Sequence, residues 1–261
     1  MNTRTQTRTH AFTRTLPLLL ATSVTVLLTA CGGGGDSPDP TPNPTNFDPS
    51  TLQGRWTTAS GVTPGVTALV VPDSSTTATP ATTATAWVLA QDASRLVKVS
   101  ATGTQSANGK SYDLATPANP ATDITTGSYT ANLSASPKSI SFSNVLGTSL
   151  TLTQSDTLSG IAATADAAGT WKASAGAIDI TWTVTDTGTL SGSSTSGCTY
   201  SGNTTTPTSI TLYRISFTET CSGTTSSFSG IASLSTTKTQ LTVTATTTGD
   251  AKGSALFFVK Q

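Results

Sequence analysis

The sequence predicts an all-β protein: two tandem small antiparallel β-barrels or sandwiches after a flexible tether, with one larger barrel or sandwich as the alternative. Three observations predict it. Thr, Ser, Ala and Gly dominate and only 10% of the residues are charged, a balance that favours strands over helices. Several short segments alternate apolar and polar residues with period two, and no apolar stripe at helical spacing runs longer than a turn or two. Landmarks of the first half recur in the same order in the second. Chains this rich in Ser, Thr and Gly often bury too little apolar surface to fold. The regular alternation argues against that for most of the chain beyond residue 50.

Residues 1–15 carry Arg4, Arg8 and Arg14 and no acid. Residues 16–30 (LPLLLATSVTVLLTA) form an apolar run too short to span a bilayer comfortably. A charged start, an apolar middle and a small-residue end read as a secretory signal. The order Leu28-Thr29-Ala30-Cys31 resembles the lipobox of bacterial lipoproteins. The resemblance implies diacylglyceryl transfer to the Cys31 sulfur, cleavage before Cys31 and acylation of the new amino terminus. Gly32, where an acid would retain such a protein at the inner membrane, implies the outer membrane of a Gram-negative cell. An ordinary secretory signal with Cys31 as an incidental thiol is the alternative. Each buried methylene contributes ~0.8 kcal/mol and one acyl chain holds only marginally, so two or three chains would make attachment long-lived. The resemblance covers the first 31 residues and is silent on the rest.

Residues 31–50 are expected to be a tether. Gly32 to Gly35 give flexibility, the prolines that follow favour extended stretches, and no apolar periodicity points to fixed structure.

Strand-like stretches then follow. Gly54-Arg55-Trp56 begins them, and Ala68-Leu69-Val70-Val71 is next. Residues 73–85 (DSSTTATPATTAT) read as a loop. The runs 86–90 and 95–99 are spaced for a hairpin. Further strands are expected over 109–114, 128–133, 139–143 and 149–153, with Ile140 and Phe142 on one face. Asn108-Gly109 reads as a turn, since both residues tolerate positive φ. A second cycle starts at Gly169-Thr170-Trp171. Its clearest strand is 178–185, with Ile178, Ile180, Trp182 and Val184 on one face. Strands follow over 198–202, 212–220, 226–234, 240–246 and 254–259.

Four matches relate the cycles. Gly54-x-Trp56 aligns with Gly169-x-Trp171, and Trp87-x-Leu89 with Trp182-x-Val184. Gly109-x-x-Tyr112 aligns with Gly197-x-x-Tyr200. Ser128-Tyr129 leading to Ile140-x-Phe142 aligns with Ser227-Phe228 leading to Leu241-x-Val243. These place domains at 51–160 and 169–261, with a junction at 161–168.

Composition narrows the chemistry. The only histidine, His10, lies in the signal, and Glu219 is the only glutamate. Without a histidine the mature chain has no Ser-His-Asp or Cys-His arrangement and no His-ligated metal. Losing residues 1–30 removes three of the 13 basic residues and none of the 13 acids. The mature chain is therefore mildly acidic, with no basic patch for nucleic acid. If Cys31 is acylated, Cys198 and Cys221 are the remaining pair, and an oxidising compartment would join them. Their parities match Tyr200 and Phe217, so both are expected to face one interior. Redox catalysis is the sharper reading, but neither has a C-x-x-C spacing or a neighbouring His or Lys.

Trp56, Trp87, Trp171 and Trp182 could stack on sugars if exposed; the alternation makes at least three of them core anchors. Asp73, Asp92, Asp113, Asp123, Asp156, Asp166, Asp179, Asp186 and Asp250 are scattered, mostly at turns, and form no visible glycosidase pair. No catalytic, metal or cofactor site is expected. The leading reading is a non-enzymatic envelope lipoprotein with a binding or structural role. It meets the membrane through the lipid on Cys31 and takes a protein, small-ligand or glycan partner. A carbohydrate-binding or adhesive module and an Asp- or Ser-based hydrolase are the alternatives.

Overall fold

The computed structural model describes residues 48–63, 65–73, 81–92, 94–114, 121–143, 149–175 and 177–261. The lipobox, Cys31 and the tether up to residue 47 lie outside them.

The described chain forms two closed antiparallel sheets, so the two-barrel expectation holds and the single-barrel alternative falls. The first contains β1 (Gly54–Thr57), β2 (Val66–Pro72), β3 (Thr83–Ala90), β4 (Arg95–Thr102), β5 (Ser106–Asp113), β6 (Ala121–Asn132), β7 (Ser139–Ser143) and β8 (Leu150–Asp156). The second contains β9 (Gly169–Ala175), β10 (Ile178–Val184), β11 (Thr189–Ser194), β12 (Thr199–Thr205), β13 (Tyr213–Cys221), β14 (Thr224–Leu234), β15 (Gln240–Thr247) and β16 (Gly253–Lys260). Each strand pairs with the next; β8 returns to β1, and β16 to β9. Closure leaves no edge open to another chain.

Period-two alternation decides which face is inside. Ile180, Trp182 and Val184 of β10 join Ile215 and Phe217 of β13 and Leu241 and Val243 of β15 in the second core. Trp182 is its centre: its ring lies 4.5 Å from Phe258, 5.0 Å from Phe217 and 5.7 Å from Tyr200. The first core holds Trp56, Tyr129, Ile140 and Phe142. Both lumens are packed with side chains. The outward residues of β10 to β12 are Thr, Ser, Asn and Asp, half-buried or exposed. These three strands are apolar inside and polar outside, the reverse of strands that face lipid.

The same entry device opens both barrels. A 3-10 turn, Pro49–Leu52 or Thr164–Ala167, precedes the first strand. The Trp56 indole N–H donates to the Leu52 carbonyl at 2.9 Å, and the Trp171 indole N–H to that of Ala167 at 2.8 Å. Two of the four repeat matches therefore fall on equivalent strands: the Gly-x-Trp pair on β1 and β9, and the last on β6–β7 and β14–β15. The middle two do not. Trp87 lies on the third strand of its barrel and Trp182 on the second of its own; Tyr112 lies on a fifth strand and Tyr200 on a fourth.

Other expectations are corrected. Asn108-Gly109 is not a turn but lies within β5, paired with Ser100 and Val99. Glycine is there for close approach: a Cβ would stand 1.9 Å from the Lys98 carbonyl oxygen. The loop expected over 73–85 yields its end to β3, and Asp73 accepts from the hydroxyls of Thr83 and Thr85, both at 2.7 Å. The end of the expected tether is structured, because Asp48 caps a turn that buries Pro49. The expected junction likewise includes the turn that buries Ala167 in the second core. β11 (TLSGSS) is an additional strand, with Leu190 as its only large apolar residue.

Candidate functional site

Several strands of the first barrel are apolar on both faces. In β2, Ala68 and Val70 point inward while Leu69 and Val71 point outward; in β3, Ala86 and Val88 point inward while Trp87 and Leu89 point outward. The outward set is buried, because the second barrel packs on it. Leu69, Val71, Trp87, Leu89, Leu96 and Tyr112 of the first barrel form one cluster with Ile210, Leu212 and Ile231 of the second and with Leu158 from the connection. This seam is a third core, lying between the barrels.

Polar groups clamp it. Lys98 of β4 donates to Asp250, in the turn before β16, at 2.8 Å, and its ammonium sits 5.3 Å from the Trp87 ring centre. Tyr112 donates from its hydroxyl to the Asp250 carbonyl at 3.2 Å. Arg55 of β1 donates to Ser233 of β14. Gly253 lets the barrels close up, since a Cβ there would meet the Tyr112 ring at 2.4 Å.

Burial pushes the Asp250 carboxyl up, but hydrogen bonds from Lys98 and Thr246 and the charges of Lys98 and Lys110 outweigh it. The net effect holds Asp250 below the usual carboxylate range. A carboxyl whose folded pKa lies below its unfolded one stabilises above the unfolded value, and that stability is lost as pH falls through the folded value. Asp250→Asn is therefore expected to cost roughly 1 kcal/mol at neutral pH, the modest end because the pair is partly solvated. The gap from wild type should narrow as pH falls from about 7 to about 2, through and below the usual carboxylate range. Urea unfolding at both pH values checks this; an equal gap at both contradicts it.

Two clefts flank the seam, and Trp87 lines both. The larger, about 350 Å³, has Val71, Trp87 and Ile231 as its apolar part and Asp73, Lys98, Arg214, Thr85 and Ser229 as polar neighbours. The smaller, about 190 Å³, is lined by Leu69, Trp87, Leu89 and Phe257 with Arg55, Ser233 and Thr244. An apolar wall with a few convergent polar groups is the usual character of a small-molecule site. The larger cleft has one lining carboxylate and the smaller none. The paired carboxylates of a glycosidase are not brought together in either.

The residues singled out from the sequence lie elsewhere. Cys31 is outside the described residues. Cys198 and Cys221 form a disulfide across β12 and β13, with Cα atoms 4.3 Å apart and sulfurs against the second core. They continue the Thr199–Thr220 ladder by one pair, which is why their parities agree. Glu219 lies near both sulfurs, but these are bonded to each other, and its carboxylate accepts from the Tyr200 hydroxyl at 2.8 Å. Burial, with Glu219 beside it, pushes the Tyr200 hydroxyl pKa up. Asp92 and Asp156 cap turns as expected, accepting from the backbone N–H groups of Ser94 and Leu158. All four tryptophans are buried: three inside the barrels and Trp87 in the seam. None presents a free face for a sugar.

Sequence reasoning missed the seam. Its signal was the unbroken apolar runs at 68–71 and 86–90, which mark strands buried on both faces.

No protein family, curated protein or solved structure matches this chain.

Proposed function

We propose that this chain is a lipid-anchored envelope protein that works by binding, and that its working surface is the seam between the barrels. One observation carries the reading: both lumens are filled by their own side chains, while the seam leaves two clefts with apolar walls and convergent polar groups. The polar outer strands of the second barrel suit water, so membrane attachment falls to the acylated Cys31. From there the tether would hold the double barrel off the outer membrane. The glycan reading loses its exposed tryptophans. The hydrolase reading finds neither a histidine in the mature chain nor a carboxylate pair in a cleft.

The anchor is tested in cells. Cys31→Ser is expected to abolish incorporation of a clickable fatty acid and to move the protein from the membrane to the soluble fraction. Undiminished labelling of that variant would overturn the anchor.

A further inference from the structure

The smaller cleft contains polar groups left without partners. Arg55 is half-buried, and no described carboxylate pairs with it. Its Nη2 donates to Ser233, but its Nε–H is shielded from solvent and meets no acceptor. Thr244, on the opposite barrel and only 2% exposed, has a hydroxyl that is also buried and unpartnered. Buried polar groups are nearly always hydrogen-bonded. A water could satisfy either group, whereas a carboxylate would satisfy both and bring the guanidinium, which forms no described ion pair, a counter-charge beside the apolar walls.

We propose that this cleft binds a small monocarboxylate with an apolar body. Its carboxylate pairs with the Arg55 guanidinium, and a small shift of the lining side chains on binding opens the shielded Arg55 Nε–H and the Thr244 hydroxyl to its two oxygens. The apolar body lies among Leu69, Trp87, Leu89 and Phe257, where Phe257 is the exposed rim. Guanidinium and carboxylate are matched in charge and shape, and such hydrogen bonds are stronger than neutral ones. A volume of about 190 Å³ gives room for a single ring and its carboxylate. The proposal rests on the reading of the seam as the binding surface.

The probe is benzoate, titrated by calorimetry into the full chain held in nanodiscs, with benzyl alcohol as its neutral counterpart. Saturable benzoate binding is expected, at least tenfold tighter than that of benzyl alcohol. Arg55→Gln should abolish it. Thr244→Val, which keeps shape and loses only the hydroxyl, should weaken it about tenfold and decides the matter if Arg55→Gln fails to fold. No saturable binding, or equal binding of the alcohol, overturns the proposal. Binding that survives Arg55→Gln or Thr244→Val but disappears in Arg214→Gln would place the ligand in the larger cleft. That result overturns the carboxylate site and leaves the seam as the binding surface.

Discussion

Trp87→Ala is expected to destabilise the protein by about 3–5 kcal/mol, the range for removing a buried tryptophan from a packed core. The size is notable because Trp87 belongs to neither barrel's interior. It points out of the first barrel into the seam, is 5% exposed, and borders both clefts. Its loss would also remove the ring beneath the Lys98 ammonium, weakening the clamp to Asp250. Both barrels should be destabilised, since the cluster takes residues from each. Equilibrium urea unfolding followed by circular dichroism measures the cost. A loss under about 1 kcal/mol would mean that Trp87 behaves as a surface residue.

The second large effect concerns the disulfide. Exchanging both Cys198 and Cys221 for alanine is expected to cost roughly 3 kcal/mol, from the closure entropy of a loop with sequence separation 23. Both residues pack against the second core alone, but with the seam intact the loss should lower the common unfolding midpoint. Unfolding of the oxidised protein, the reduced protein and the double variant measures it. An unchanged midpoint on reduction would show that the paired strands hold their register without the bond.

The two effects mark what was legible in the sequence. Strands with one buried face, such as β7, β10 and β13, show period two in their side chains, and their positions follow from it directly. The disulfide was legible because only one pair of cysteines remains once Cys31 is set aside. β11 was not, because a strand of Ser, Thr and Gly with one leucine looks like a loop. Asn108-Gly109 has turn chemistry, yet the glycine serves close backbone approach inside β5. Trp87 was aligned with Trp182 because both precede an aliphatic residue by two. Their opposite facing depends on which barrel wall each strand occupies. The seam joins residues from Leu69 to Ala255, and such non-local contacts leave no periodic trace beyond the doubly apolar strands.

The claim at the centre is that the barrels share a third core and so unfold as one body. The most direct measurement follows the indole N–H signals of Trp56 and Trp171 by NMR through a urea titration. Each is fully buried at the entry of its own barrel, bonded to the carbonyl of the preceding 3-10 turn. The expected result is a common midpoint in the wild-type protein that splits into two in Trp87→Ala. Two separate midpoints in the wild-type protein would contradict a shared core.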